Sequence, residues 1–338
     1  MTRLECNHEG TKARKGNGFL RIFVFSWLVF LVSTPALFAQ PTTFMPVGSI
    51  PAPIDMIRVE GPRAYVSSGK TLTIYDVSNP SAPKREGAYT FPEEIWSFRV
   101  AGSTAYVGAN FFGLGILDVS NPAAPVLRGS FKTPGQAKTA AVFGSRIVVI
   151  DHMEGVVLVD ASNAAKPVSA GSFFVDGYAR DIVTAGSFAY AVDSPAGFYV
   201  LDLSKPNPME PVSALQSGAG LRTIEVSGSL AMLVGGGSLQ PYDVSNPAAP
   251  VKAPPFRTPG GAQRAALSGR VAYVADGGEG LQVVDFSRPA APVIIGNYKM
   301  SGTARDVAVE GSLVFVVVSE AKARPQDGGQ VVILRRVP

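Results

Sequence analysis

Seven residues stand six positions ahead of a regularly recurring glycine: Asp55, Trp96, Lys138, Arg180, Arg222, Gln263 and Arg305. Four of them are cations. Two such charges about 10 Å apart repel by roughly 0.4 kcal/mol in water and about 1.7 kcal/mol at an effective dielectric of 20. A set of four therefore needs acidic partners or a bound anion. The same spacing offers partners. Asp151, Asp193 and Asp276 lie seven residues after their glycines, and Asp181 and Asp306 each directly follow a cation. Ion pairs such as Lys138–Asp151 and Arg180–Asp193 would neutralise most of the set; the competing expectation is an anion site. Arg222 is the cation expected to lack a partner, because Gly235 replaces the aspartate opposite it.

A second group of residues does not recur. Trp96 is the only tryptophan after residue 39, and Phe111-Phe112 and His152-Met153 follow in neighbouring loops. An aromatic cluster beside cations suits a sugar, an aromatic ligand or a peptide side chain. Packing between repeats is the plainer alternative. The candidate ligand-binding residues are thus Trp96, Phe111, Phe112, Lys138, His152, Arg180, Arg222 and Arg305.

Composition limits other chemistry. Beyond residue 39 the chain has one histidine, His152, and no cysteine. A histidine-rich metal centre and a cysteine nucleophile are excluded, and no Gly-x-Ser-x-Gly elbow surrounds a serine. No catalytic residue, metal ligand or cofactor is assigned, although calcium, which needs only oxygen ligands, stays open. Six aspartates, Asp76, Asp118, Asp160, Asp202, Asp243 and Asp285, invite a catalytic reading. Each has a Ser two residues on in a turn-like phrase, so Asx-type turns explain them better. The Gly-rich stretches Gly235-Gly236-Gly237 and Gly277-Gly278 open no helix and carry no Lys-Ser/Thr, so they are not phosphate loops.

These residues belong to a repeat. Asp-Val-Ser-Asn-Pro begins at Asp76, Asp118 and Asp243, with variants at Asp160, Asp202 and Asp285, and the turn glycines fall at Gly61, Gly102, Gly144, Gly186, Gly228, Gly269 and Gly311. Both markers keep a period of about 42 residues, and no segment has a convincing 3.6-residue apolar period. Each unit reads as four short strands, A to D. In the sixth these are Arg264–Leu267, Val271–Ala275, Leu281–Phe286 and Val293–Tyr298. Four strands per 40-odd residues predict an all-β, seven-bladed propeller of four-stranded antiparallel blades. The seventh unit has strands A to C and then ends, while Pro46–Ile50 resembles a strand D phrase. The ring is therefore expected to close by the N-terminal strand pairing in the last blade.

The phrases Val271-Ala272-Tyr273-Val274-Ala275-Asp276, Leu281-Gln282-Val283-Val284-Asp285 and Ala304-Arg305-Asp306-Val307-Ala308-Val309 resemble the LVIVD-repeat family of exported or surface bacterial propellers. The resemblance covers about residues 44–338 and implies the fold; it ties the chain to no single reaction. The seventh repeat departs most, with Leu334 in place of the aspartate and a long B–C loop, Glu320–Gly329. The expected role is a ligand-binding or protein-interaction module using one face of the disc, with a small anionic or carbohydrate ligand, or a protein, as partner. A propeller hydrolase or lyase with an Asp/Arg-lined channel, metal-dependent or not, is the alternative.

Residues 1–39 read as a signal peptide: a basic stretch, an apolar run from Ile22 to Val32, then Pro35 and Ala39. A retained anchor is the alternative, but the run is short of the roughly 20 residues a spanning helix needs. Cleavage would leave residues 40–338 in the periplasm, at the surface or in the medium, as a monomer without stable membrane insertion. The leader holds five of the 30 basic and two of the 26 acidic residues, so the remainder is nearly neutral. The sequence pI of 9.1 is then no sign of nucleic-acid binding.

Overall fold

β-Branched runs separated by Gly and Ser-Asn-Pro turns form short antiparallel strands throughout the computed structural model. It describes residues 42–338 except 176–177, 195–196, 206–209, 217–219, 321–327 and 338. The leader and most of the Glu320–Gly329 loop lie outside the described residues. The chain divides into Met1–Phe38 and Ala39–Pro338, and the second unit carries the propeller.

Seven sheets, one per repeat, each run A-B-C-D in order. Blade three shows the plan: Ala137–Phe143, Arg146–Asp151, Gly155–Asp160 and Val168–Phe173. Blade five departs from it. Its outer edge is broken into Val251–Lys252 and Phe256–Ala262, both pairing with Gly237–Asp243. Pro254 and Pro255, which have no N–H to donate, separate the two pieces.

The ring closes as expected, over a longer stretch than the sequence phrase marked. Thr43–Ile54 pairs antiparallel with Gly329–Val337, from Thr43↔Val337 to Ile54↔Gly329. Just upstream, the Thr42 N–H donates to the Ile295 carbonyl at 2.7 Å, tying the clasp to blade six. Seven hydrophobic clusters fill the seven spaces between adjacent blades. The one between blades seven and one contains Ile50 and Ile54 of the N-terminal strand with Ile57, Phe315 and Ile333. Each fully buried aliphatic or aromatic side chain contributes about 1.5–3 kcal/mol, so closure is a packing event as well as a hydrogen-bonding one.

The recurring polar residues serve turns. Asp76, Asp118, Asp160, Asp202, Asp243 and Asp285 each accept from the backbone N–H two residues on, at 2.7–3.0 Å. The seven A–B turn glycines all have φ between 57° and 60°, a region that side chains with a Cβ disfavour. A further glycine role was not read from the sequence. Gly87 and Gly129 lie in strand D where a Cβ would stand 2.3 Å from the Pro122 carbonyl oxygen and 2.0 Å from that of Ala164, both in the C–D turn of the next blade. Glycine there lets neighbouring blades touch backbone to backbone.

Candidate functional site

Strand A of each blade lines the central channel, and in four blades it carries a bulge at its start. In blade three Ala137 pairs with Asp151 and Thr139 with Ile150, leaving Lys138 as the extra residue; Arg180, Arg222 and Arg305 occupy equivalent breaks. Trp96 and Gln263 sit likewise, their N–H groups donating to the Gly108 and Ala275 carbonyls that also oppose the next residue. A bulge re-aims the side chain of the extra residue. All seven positions picked out by spacing therefore line one cavity of about 320 Å³ at the channel mouth.

The expected ion pairs do not form. No salt bridge joins Lys138 to Asp151 or Arg180 to Asp193 among the described residues. The Asp151 carboxylate instead accepts from the backbone N–H groups of Gly135 (3.0 Å), Met153 (2.8 Å) and Glu154 (2.9 Å). Asp276 accepts from Gly260 N–H at 2.8 Å and from the Thr258 hydroxyl. Three well-placed N–H donors satisfy a buried carboxylate without a lysine, so these aspartates fasten the loops that lead into strand A. Burial, then the neighbouring Arg180 charge, hold the Lys138 ammonium below its usual range, and Asp151 opposes this only in part. Arg222 is exposed and makes no ion pair or hydrogen bond among the described residues, as the sequence suggested.

The cations find aromatic partners. Lys138 Nζ lies 5.3 Å from the Trp96 ring centroid and 3.3 Å from Nδ1 of His152. His152 stacks on Tyr178, and the Arg180 guanidinium sits 5.8 Å from the Tyr178 ring centroid. The result is a continuous band, Trp96–Lys138–His152–Tyr178–Arg180, across blades two, three and four. Trp96 and Tyr178 remain about half exposed, at 46% and 54%. Phe111 is exposed beside a backbone bridge from Asn110 to Ala137. Phe112 is half-buried and packs edge-on against Phe91, centroids 5.8 Å apart, between blades one and two. Tyr178 was missed because it neither recurs nor follows a repeat landmark; its place two residues before Arg180, on the channel strand, was the available signal.

Beneath the mouth lies an ionic layer that the sequence reading also missed. Arg99 of blade two reaches Glu225 of blade five at 3.1 Å and Asp181 of blade four at 3.5 Å. Arg58 and Arg264 converge on Asp306 at 3.1 and 3.4 Å. Asp181 and Asp306 also accept from the N–H groups of Ile224 and Ile57 on the next blade. Burial pulls the Arg58 guanidinium down, opposed by Asp306. It pulls on Arg99 too, but Glu225 and Asp181 outweigh it and raise that group. The visible signal was a charge in the middle of a short strand A, Arg58 in Met56–Glu60 and Arg99 in Ser97–Ala101. No three His, Cys, Asp or Glu side chains share a position suited to a metal ion among the described residues.

The LVIVD repeat matches residues 55–90, 95–133, 134–175, 176–214 and 259–300. The chain belongs to the LVIVD-repeat family. The stretches of the LVIVD propeller left unmatched include blade five, with its broken outer edge, and blade seven, with Leu334 in place of the turn aspartate. No curated protein matches the chain. Among solved structures, the β-propeller domain of Cps50 (Swd1) from Myceliophteria thermophila is similar with a TM-score of 0.69 at 12% identity, covering 87% of this chain and 99% of that one. The WD40 domain of Neurospora crassa Pan2 gives 0.69 at 11% identity, covering 90% and 98%. At such identity the likeness shows the propeller fold alone.

Proposed function

We propose that this LVIVD propeller is a ligand-binding or protein-interaction module, exported from the cytoplasm, that works through the face bearing the channel mouth. The observation that carries this reading is the half-exposed aromatic–cationic band from Trp96 to Arg180 at the rim of the cavity. Rigid aromatic rings and guanidinium groups are the side chains that most often anchor binding sites, and the band spans three blades, with its rings Trp96, His152 and Tyr178 each found in one blade alone. The basic, apolar and small-residue order of residues 1–39 supports export. The acidic groups of the channel are committed to arginines and backbone N–H groups, which favours recognition over acid–base chemistry.

The test is capture of glycans and peptides on arrays by the full chain and by a Trp96→Ala/Tyr178→Ala variant. Both side chains are half exposed, so the variant keeps its fold, checked by its melting temperature. Loss of capture with an unchanged melt supports the proposal; undiminished capture removes this face as the site.

A further inference from the structure

The cavity itself has a composition that the aromatic band does not explain. Lys138, Arg180 and Arg222 come from three consecutive blades and border one space of about 320 Å³. None of the three forms a salt bridge with a described residue. Lys138 is only 8% exposed. Of the three acids that share the lining, Asp181 and Asp306 already face Arg99, Arg58 and Arg264, and Asp55 accepts from the Gly69 N–H at 2.8 Å. None of these three acids forms a salt bridge with Lys138, Arg180 or Arg222.

Two hydroxyls add to this. Thr139 and Thr223 follow Lys138 and Arg222 in the chain and line the same cavity. They are 1% and 7% exposed, and their Oγ1 atoms have no hydrogen-bond partner among the described residues. A buried hydroxyl without a partner is destabilising, so each stands to gain from a bound acceptor. Converging cations with hydroxyl donors below them match a planar or tetrahedral oxyanion, which offers several acceptor atoms at once.

We infer that the mouth is a seat for a carboxylate, phosphate or sulfate group carried by a small ligand, held by Lys138, Arg180 and Arg222 with Thr139 and Thr223 beneath. This rests on the reading of this face as the binding face and names the chemistry of what it takes. The ligand's anionic group enters the cavity, and the remainder lies along the Trp96–Tyr178 band.

Calorimetric titration of the full chain with inorganic phosphate, sulfate and citrate, at constant ionic strength in chloride, tests the inference and separates the three chemistries. The expected result is saturable binding of at least one, weakened about tenfold by Arg222→Gln and by Lys138→Gln, and several-fold by Thr223→Val, which keeps the side-chain shape. Arg222 is exposed and makes no bond to a described residue, so Arg222→Gln keeps the wild-type melting temperature. Absence of saturable binding for all three anions, or binding unchanged by Arg222→Gln, overturns the seat. Trp96→Ala/Tyr178→Ala should still bind the bare anion, so failure of the seat and failure of the aromatic face are separate results.

Discussion

His152 of blade three stacks on Tyr178 of blade four, with ring centroids 5.4 Å apart and planes 14° from parallel. The pair joins two blades on the exposed rim, where neither ring is needed to fill a core. Aromatic pairs contribute about 0.5–1.5 kcal/mol beyond their buried area. Tyr178→Ala is therefore expected to move the melting temperature by no more than about 4 °C, while weakening capture on the glycan and peptide arrays at least tenfold. A large melting shift with normal capture would make the stack structural.

Ring closure gives a stability prediction. Ile50 is fully buried between blades seven and one. Ile50→Ala should cost about 2–5 kcal/mol and lower the melting temperature by roughly 5–15 °C, and deletion of residues 44–50 should cost more. Thermal denaturation followed by circular dichroism checks both. An unchanged midpoint for the deletion would mean that the clasp does not hold the ring shut.

The channel layer gives another. Removing Arg99 strands Asp181 and Glu225, and loss of one partner from a buried pair costs about 3–5 kcal/mol. Arg99→Ala should show this in chemical denaturation. Arg99→Met/Glu225→Leu, which removes charges of both signs, should recover part of the loss. Equal stability of Arg99→Ala and wild type would show that the charges across the bore are not coupled.

Acid should act through the turns. The Ser two residues on, by its N–H and hydroxyl, holds Asp76, Asp118, Asp160, Asp202 and Asp243 below the usual 3.8, with Arg128 adding to the effect at Asp118. A lowered folded-state value means stabilisation that is present above 3.8 and lost as pH falls through the folded values. The urea midpoint should therefore hold steady down to about pH 4 and decline below it, less steeply in Asp118→Asn. A midpoint that does not fall in that range would contradict the turn assignment.

The propeller was legible because its landmarks are backbone requirements. A left-handed glycine at Gly144 and an Asx aspartate at Asp160 recur wherever the same turn recurs. The missing strand D of the seventh repeat pointed to the clasp for the same reason. Register arithmetic also placed Lys138, Arg180 and Arg222 at one mouth. It failed at their partners, because proximity along a strand pair does not say which donors reach a carboxylate first. Gly135, Met153 and Glu154 bring three backbone N–H groups to Asp151, and Lys138 turns to Trp96 and His152. Arg99 and Glu225 escaped because their meeting across blades two and five depends on the closed ring, and Tyr178 because it occurs in one blade only.

The most direct test of the mouth as the binding site uses Trp96 itself. In a Trp27→Phe full-length chain it is the sole tryptophan, at the cavity rim. Its emission, titrated with phosphate, sulfate and citrate, is predicted to change saturably for each anion that binds in calorimetry, with the same midpoint, and to need about tenfold more anion in Lys138→Gln. Emission that stays flat while an anion saturates the protein would place the site elsewhere and contradict the account.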